Sequence, residues 1–269
     1  MSRLSFNHAT AKFWDQGEAI EACAREGIGI GLWREPVAEY GLERTVAALD
    51  RTGVPVTTLC RGGFFTTGSR ESIEDNKRAV DEARALGTKV LVLVSGGLPE
   101  GSRDVDGARE RVADALAELA PYAGEAGVTL AIEPLHPMFA SDRCVVSTLD
   151  QAIDLSLPFP AEQVGVVVDT YHVWWDPNLY PAIARAGAAG RIASFQVADW
   201  VTPLPAGVLT GRGQVGTGCV EMRRIKAAVD EAGYSGPIEV ELFNDELWAR
   251  PGAEVFAETV QAYAEHVAD

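Results

Sequence analysis

The chain has few cysteines, and their spacing suits neither a structural metal site nor a redox pair. The four cysteines, Cys23, Cys60, Cys144 and Cys219, include no CxxC pair in 269 residues. Zinc sites and thiol redox motifs need closely spaced thiols. We therefore expect reduced thiols that pack as small hydrophobic side chains, and we assign no chemistry to them.

Long apolar runs are also missing. No segment approaches the roughly 20 apolar residues of a membrane-spanning helix. The first residues, Met1 to Ser5, lead directly into a predicted strand without a signal-peptide core. We expect a cytoplasmic protein without a membrane partner, folded as one domain over residues 1–269, because 47% hydrophobic residues can bury a large core.

Positive charge is scarce. The sequence has 23 Lys and Arg against 39 Asp and Glu, for a net charge of −16. This charge would repel phosphate backbones, and no basic cluster interleaved with aromatic residues offsets it, so nucleic acid is not an expected partner.

Hydrophobic periodicity predicts strands and helices in strict alternation along the chain. The predicted strands are Leu4 to Phe6, Ile28 to Leu32, Val56 to Leu59, Val90 to Val94, Thr129 to Ile132, Val164 to Val168, Ile192 to Phe195 and Ile238 to Val240. The predicted helices are Gln16 to Glu26, Leu42 to Thr52, Ser72 to Leu86, Asp106 to Ala126, Thr148 to Leu155, Leu179 to Ala186, Glu221 to Ala232 and Gly252 to His266.

Eight strands alternating with eight helices predict a single (β/α)8 TIM barrel in the α/β class. The strands are apolar at both odd and even positions, as expected when both faces of a parallel sheet are covered. Glycines follow helical stretches where helices commonly end, at Gly27, Gly53, Gly87, Gly127 and Gly233. A doubly wound sheet is disfavoured because no GxGxxG motif follows the first strand.

Four predicted strands end in side chains that can bind a metal or transfer a proton. Glu133, Asp169, Gln196 and Glu241 each stand at or just after a strand's carboxyl end, and these ends converge on one face of a parallel barrel. Taken alone, each has a structural explanation, such as Asp169 capping a following helix. Together they favour a buried metal site. We expect Glu239, in the last strand, to point toward the helices or solvent if Glu241 points inward.

Three carboxylates and one amide oxygen form a set of hard donors. Such a set suits one divalent ion, with Mn²⁺ as the expected metal and Mg²⁺, Co²⁺ or Zn²⁺ as alternatives. The ion would polarise a substrate carbonyl while a base removes the adjacent proton and an enediolate forms. Glu133, Glu241, His136 and His172 are all candidates for proton transfer or substrate contact, and sequence does not rank them.

Aromatic and basic residues near the strand ends are the predicted substrate contacts. They are Trp33, Trp174, Trp175, Arg61, Arg212 and His8. The scarcity of basic residues at the presumed mouth favours an unphosphorylated substrate. The long segments after the fifth, sixth and seventh strands, 133–148, 169–178 and 198–218, are predicted to form a lid.

These residues resemble the xylose-isomerase-like TIM barrels, a family that includes tagatose 3-epimerase, hydroxypyruvate isomerase, inosose dehydratase and endonuclease IV. The resemblance covers essentially the whole chain. It rests on the segments Ala131-Ile132-Glu133-Pro134, Val168-Asp169-Thr170-Tyr171-His172, Phe195-Gln196-Val197-Ala198-Asp199, Gly216-Thr217-Gly218 and Glu239-Val240-Glu241.

The resemblance implies site roles residue by residue. Glu133, Asp169, Gln196 and Glu241 would bind the metal, Glu133 and Glu241 would be the acid and base, and His172 would contact substrate. Gln196 departs from the histidine of many branches, although the hydroxypyruvate isomerase branch is similar in using glutamine. The few histidines disfavour the trinuclear zinc site of endonuclease IV.

The leading hypothesis is therefore a divalent-metal-dependent isomerase or epimerase of a keto sugar or related polyhydroxy carbonyl compound. An alternative follows from a second resemblance, to the barrel subunit of bacterial C-glycoside deglycosidases. It implies a lyase that acts on 3-keto C-glycosides with His136 as base and has a small second subunit. A sugar-binding barrel without turnover is a third hypothesis. A homo-oligomer is possible in each case.

Overall fold

The computed structural model describes residues 2–268 and confirms the predicted (β/α)8 barrel. The strands are β1 (Leu4–Asn7), β2 (Gly29–Trp33), β3 (Val56–Gly63), β4 (Val90–Val94), β5 (Thr129–Ile132), β6 (Val164–Asp169), β7 (Ile192–Val197), β8 (Asp199–Trp200), β9 (Arg212–Gly213) and β10 (Ile238–Val240). Eight of them close a parallel barrel in the order β1-β10-β7-β6-β5-β4-β3-β2, while β8 and β9 form a separate antiparallel pair.

Helices connect the strands on the outside of the barrel. They are α1 (Gln16–Glu26), α2 (Arg34–Tyr40), α3 (Leu42–Thr52), α4 (Arg70–Ala85), α5 (Val105–Ala126), α6 (Leu149–Ser156), α7 (Thr170–Val173), α8 (Leu179–Ala188), α9 (Met222–Glu231), α10 (Asp245–Trp248) and α11 (Gly252–His266). All eight predicted helices are present, and α2, α7 and α10 are additional. Within residues 2–268, no helix is long and apolar enough to cross a membrane.

Helix ends are satisfied locally, which explains why the sequence boundaries are close to the observed ones. Asp15 and Ser69 accept hydrogen bonds from backbone N–H groups in the first turns of α1 and α4. Gly27 and Gly127 adopt the left-handed conformation at the ends of α1 and α5, with φ values of 65° and 72°. Glycine adopts that conformation without steric cost.

The hydrophobic core has two layers. The larger one fills the space between the strands and the helices, as both faces of these strands are buried. The smaller one lies inside the barrel and is formed by Cys60, Val92, Ala131 and Val167. This inner layer covers the β3-to-β6 side of the interior.

The other side of the barrel interior is polar. Glu239 is 1% exposed there, and its carboxylate accepts hydrogen bonds from Asn7, Thr57, Thr58 and Gln196. The expectation that Glu239 points toward the helices or solvent is wrong, because residues two apart on a strand share a face and Glu241 also points inward. The absence of a side chain at Gly31 leaves room for the Glu239 carboxylate, since a Cβ atom there would lie 2.6 Å from it.

The segment after β7 is held in place by one buried carboxylate. Asp199 is 1% exposed. It accepts hydrogen bonds from the backbone N–H groups of Trp200, Gly216 and Val220 at 2.9, 3.0 and 3.0 Å. These bonds join both ends of the segment that carries β8 and β9.

The cysteines differ sharply in exposure. Cys23, Cys60 and Cys144 are buried, as expected, whereas Cys219 is exposed. Burial raises the pKa of the Cys23 thiol to about 12 and also raises the pKa values of Cys60 and Cys144. The N–H group of Cys219 donates to the Trp200 carbonyl at 3.0 Å, which places it at the base of the β8–β9 segment.

Candidate active site

Three carboxylates meet at the carboxyl ends of the barrel strands. Glu133 follows β5, Asp169 ends β6 and Glu241 follows β10, and their exposures are 4%, 0% and 2%. Carboxylates are rarely buried so completely without partners. Their positions match the predicted strand-end cluster.

The two carboxylate oxygens of Asp169 have different partners. Oδ1 accepts a hydrogen bond from the N–H group of Tyr171 at 2.8 Å and so caps α7. Oδ2 lies 3.3 Å from Arg212 Nη1 and 3.9 Å from His172 Nε2. Asp169 therefore caps α7 and also lies among the residues of the carboxylate cluster.

Arg212, in β9, is the cation that the structure places among the carboxylates. Its side chain is buried, and Nη1 donates to Glu241 Oε2 at 2.7 Å and to the Glu241 carbonyl at 3.2 Å. Its Cζ lies 5.0 Å and 4.7 Å from the ring centroids of Tyr171 and Phe243. Burial alone would lower the pKa of Arg212, but Glu241, Asp169 and Glu133 raise it, so the guanidinium stays charged.

Gln196, in β7, is held in one orientation by Glu239. Its Nε2 donates to Glu239 Oε1 at 2.9 Å, so the amide oxygen points away from that carboxylate. Gln196 Oε1 is buried and has no hydrogen-bond partner in the described structure. The amide thus offers a free acceptor where a cation would need a ligand.

Asn7 links the two glutamates of β10. Its Nδ2 donates to Glu239 Oε1 at 2.7 Å and to Glu241 Oε1 at 2.9 Å. Its Oδ1 accepts hydrogen bonds from Trp33 Nε1 and from the Ala9 N–H group, which fixes the orientation of the amide. Every polar atom of Asn7's side chain therefore supports the site.

The donor chemistry fits a divalent cation. Glu133 Oε1 is buried without a hydrogen-bond partner, as is Gln196 Oε1, and buried acceptors without partners carry a free-energy cost. Glu133, Asp169 and His172 each present a ligand-type atom within 4.8 Å of the others. Glu133, Asp169, Glu239 and Glu241 are all buried, and only Arg212 among the residues in contact with them carries a formal positive charge.

The carboxylate pKa values show the same imbalance of charge. Burial, together with Asp169 and Glu241, raises the pKa of Glu133 well above its ordinary value. Burial also raises the pKa of Asp169, although Arg212 opposes the change. The pKa of Glu241 rises to about 7, again chiefly by burial. A bound cation would compensate for these charges.

His172 faces the cluster with one ring nitrogen. Its Nδ1 faces the N–H group of His136 at 3.2 Å and its Nε2 faces the Arg212 guanidinium, so donors approach both ring nitrogens although a neutral ring has one acceptor. Nε2 lies 3.9 Å from Glu133 Oε1 and 3.2 Å from Arg212 Nη2. Burial, Arg212 and His136 keep the pKa of His172 well below its ordinary value, so the ring is neutral.

His136 lies outside the carboxylate cluster in an aromatic group. Its ring stacks on Trp200 at 4.9 Å and meets Trp175 edge-on at 5.5 Å. Its Nδ1 accepts a hydrogen bond from the Met138 N–H group at 3.2 Å. Trp174 also contacts Trp200, at 5.5 Å between centroids, so both predicted tryptophans of this loop join the group.

The other predicted contact residues are more distant from the carboxylates. Arg61 lies over Phe64 at 4.4 Å and pairs with Glu35 at 3.5 Å. Trp33 reaches the site only through Asn7. His8 is buried, and within the described residues its ring hydrogen-bonds the Trp14 carbonyl rather than any site residue.

Asn7 and Glu239 are the supporting residues that the sequence analysis missed. Asn7 ends β1. Its position at a strand end could have identified it in the same way as the other site residues. Glu239 could have been identified because it lies two residues before Glu241, and side chains two apart on a strand point to the same face.

Comparisons with known proteins agree with this architecture. Residues 17–265 match the family described as xylose isomerase-like TIM barrel. The chain is 28% identical over 260 residues to an inosose isomerase of Bacillus velezensis, a match that covers 91% of this chain and 90% of that protein.

Two crystal structures show how closely the fold is shared. Protein SMc04130 from Sinorhizobium meliloti 1021 has a TM-score of 0.95 and 44% identity, with 99% of this chain and 98% of that one covered. The IOLI protein with a bound zinc atom has a TM-score of 0.83 and 23% identity, with 98% and 97% covered. At that identity the second likeness concerns the fold.

Proposed function

Because this chain belongs to the xylose isomerase-like TIM barrel family, we propose that it is a divalent-metal-dependent isomerase or epimerase of a keto sugar or related polyhydroxy carbonyl compound. The observation that carries the proposal is the buried Glu133 Oε1, which has no hydrogen-bond partner although Asp169 and His172 lie beside it. The likeness to an inosose isomerase supports a cyclic or open polyhydroxy ketone as substrate.

Glu133, Asp169, Gln196 and Glu241 would hold the cation, since they supply the hard oxygen donors that Mn²⁺ prefers. The zinc atom in the IOLI protein supports a divalent ion in this fold. When bound, the ion would act as a Lewis acid toward a substrate carbonyl.

The protein's own groups supply the proton transfer. Glu133 and Glu241 stand on β5 and β10, which are separated by β6 and β7 in the barrel, so they approach a substrate from different sides. One carboxylate would remove the proton on the carbon next to the carbonyl, and the other would return a proton to the resulting enolate.

Arg212 and His172 would position the substrate oxygens. The Arg212 guanidinium also holds Glu241 in place through the bond of 2.7 Å. The neutral His172 ring, held between the His136 N–H group and Arg212, would contact a substrate hydroxyl or carbonyl. Burial of the whole cluster excludes water, which strengthens each of these interactions.

The lyase alternative receives less support from the geometry. It needs His136 as base, but His136 Nδ1 already accepts a hydrogen bond from the Met138 N–H group. The neutral ring then carries its proton on Nε2 and has no free acceptor. A sugar-binding barrel without turnover would not need two carboxylates that approach the substrate from different sides.

The test is metal content together with exchange of the substrate's α-proton in D₂O, measured for a panel of ketohexoses and an inosose. We expect wild type to bind about one ion per chain and to catalyse exchange, and Glu133→Gln and Glu241→Gln to reduce exchange by about 10³-fold or more while folded. Glu254→Gln, the same change at an exposed position on α11, is the matched control. Undiminished exchange in Glu133→Gln would overturn the proposal.

A further inference from the structure

A second cavity adjoins the carboxylate cluster at the mouth of the barrel. Its volume is about 320 Å³. Its walls combine three aromatic rings with three basic side chains and one acidic side chain, Glu35. The aromatic and basic residues are Trp33, Phe243, Trp248, Lys12, Arg61 and Arg143. None of these basic residues touches the carboxylates of the cluster.

Two aromatic residues connect this cavity to the cluster. Trp33 Nε1 donates to Asn7, which in turn donates to Glu241. The ring of Phe243 lies 5.1 Å from Trp33 and 5.6 Å from Trp248, and it also contacts Arg212. A molecule in the cavity would therefore lie directly beside the proposed reaction site.

The basic residues of the cavity lack the partners that arginines have elsewhere in this chain. Arg34, for comparison, pairs with both Asp75 and Glu82 at 2.8 and 2.6 Å. Within the described residues, neither Arg143 nor Lys12 has a side-chain hydrogen bond or ion pair, and Lys12 lies over the rings of Trp248 and Phe13 at 4.8 and 5.6 Å.

Arg61 is only partly satisfied. Its Nη1 is buried without a hydrogen-bond partner, and its single ion pair, with Glu35, is 3.5 Å long. The Glu35 side chain is 59% exposed, so water competes for that contact. In a chain with 39 acidic residues against 23 basic ones, cations left without carboxylates are unexpected unless a ligand supplies the negative charge.

The charges in this region also repel one another. Burial lowers the pKa of Arg143, and the positive charges of Arg61 and Arg212 lower it further, although the adjacent Asp142 opposes the change. An anion placed between these side chains would remove that repulsion and satisfy the free Arg61 donor. The folded chain gathers more basic side chains at the mouth than the sequence suggested, which weakens the argument for an unphosphorylated substrate.

We propose that this cavity binds an anionic group, a carboxylate or a phosphoryl group, carried by the substrate. Arg61 and Arg143 bind its oxygens, with Lys12 at the outer edge. The rings of Trp33, Phe243 and Trp248 cover the carbon skeleton, which leaves the carbonyl end of the substrate at Glu133 and Glu241. The substrate class is then an acidic keto sugar, an inference that rests on the proposed function for its orientation but not for the binding of the anion.

The test compares dissociation constants of a neutral sugar and two acidic derivatives by titration calorimetry on the metal-loaded protein. The probes are D-fructose, D-fructuronate and D-fructose 6-phosphate, so that the carboxylate and phosphoryl sources are separated. We expect at least one acidic sugar to bind about tenfold or more tightly than fructose. Equal affinities for all three would overturn the proposal.

Variants then assign the effect to the cavity. We expect Arg143→Met to reduce the preference for the acidic sugar about tenfold, and Arg143→Lys, which keeps the charge, to retain most of it. Arg103→Met, at an exposed arginine outside the cavity, is the matched control. If both Arg143→Met and Arg61→Met keep the wild-type preference for the acidic sugar over fructose, the assignment to this cavity is contradicted.

The outcomes for the two proposals are separable. Preferential binding of an acidic sugar without any α-proton exchange would leave the anion site standing and remove the isomerase mechanism. If α-proton exchange occurs on fructose and neither acidic group improves it, the isomerase mechanism stands and the anion site is removed.

Discussion

The hydrogen bond between Gln196 and Glu239 determines which atom of the amide faces the carboxylates. Glu239 accepts donors on all sides, from Gln196, Asn7, Thr57 and Thr58, so a glutamine amide beside it can only present Nε2. Gln196 Oε1 is then directed elsewhere and remains a free acceptor. Residues behind a metal ligand commonly set its orientation in this way.

This contact predicts the effect of removing the Glu239 carboxylate. Glu239→Met keeps a similar volume but leaves four donors without an acceptor, so the Gln196 amide loses its fixed orientation. We expect the affinity for Mn²⁺ to fall about 10-fold to 100-fold, measured by competition with a chelator. Glu239→Gln, which keeps an acceptor oxygen, should restore most of the affinity.

A purely structural role for Glu239 would give a different pattern. Ser5→Ala is the control, since Ser5 Oγ bonds Thr57 in the same polar interior without touching Gln196. If Glu239→Met and Ser5→Ala weaken Mn²⁺ binding equally, the orientation argument is wrong.

At the scale of secondary-structure elements, the segment between β7 and α9 carries the most site information. It contributes Arg212 to the cluster and Trp200 to the aromatic group. Asp199 holds both of its ends through three backbone N–H groups. Gly218 fits against this anchor, since a Cβ atom there would lie 2.3 Å from the Trp200 carbonyl oxygen.

We expect Asp199→Asn to loosen this segment. The amide keeps the shape of the carboxylate but places an NH₂ group opposite one of the three N–H donors. The free energy of unfolding should fall by about 1–3 kcal/mol, measured by urea denaturation, and amide hydrogen exchange should rise in residues 199–220.

A neighbouring exposed acid provides the comparison. Asp245 accepts a hydrogen bond from Thr210 in the same segment, at the surface. Asp245→Asn should change the free energy of unfolding by less than about 0.5 kcal/mol. An equal effect of the two variants would show that Asp199 is not an anchor.

The sequence predicted the regular elements better than this segment, and the reason is physical. A strand or helix that buries one face repeats apolar residues at a regular spacing in the sequence. For this reason β5 and α11 were predicted with their observed bounds. The two-residue strands β8 and β9 are too short to show a period. Their pairing depends on the distant contacts of Asp199, which no local pattern contains.

The site was predictable to a similar degree. Glu133, Asp169, Gln196 and Glu241 were identifiable because each stands at a strand end, and barrel closure brings strand ends together. The cavity was not, because Lys12, Arg61, Arg143 and Trp248 come from four widely separated parts of the chain. Only the folded chain shows that their charges converge.

At the scale of the whole molecule, net charge and local charge oppose each other. The chain carries −16 overall, which would repel an acidic ligand at long range. The basic side chains at the mouth reverse the sign of the field locally. Deeper in the barrel, the excess of buried carboxylates again favours a cation.

This excess links the stability of the whole protein to pH and metal. The pKa of Glu241 is about 7 in the metal-free fold, above its ordinary value, so the folded protein holds a proton that the unfolded chain has released. This contribution to stability is present at low pH and is lost as pH rises through about 7. In the proposed site Mn²⁺ would bind the ionised carboxylates, so it would stabilise the fold more as pH rises.

We therefore expect the increase in melting temperature caused by Mn²⁺ to grow from about pH 5.5 to about pH 8. Differential scanning fluorimetry at fixed metal concentration measures it. In the metal-free Glu241→Gln variant, the melting temperature should lose the part of its pH dependence that comes from Glu241. A pH-independent effect of Mn²⁺ on wild type would contradict the coupling.

The distribution of the thiols offers a direct way to observe the β8–β9 segment. The pKa values of all four thiols are raised, but three cysteines are buried and Cys219 is exposed at the base of the segment that carries Arg212. A maleimide spin label or fluorophore would therefore attach at one native position without any engineered cysteine. The wild-type chain thus contains its own reporter for whether this segment moves when a sugar or a metal ion binds.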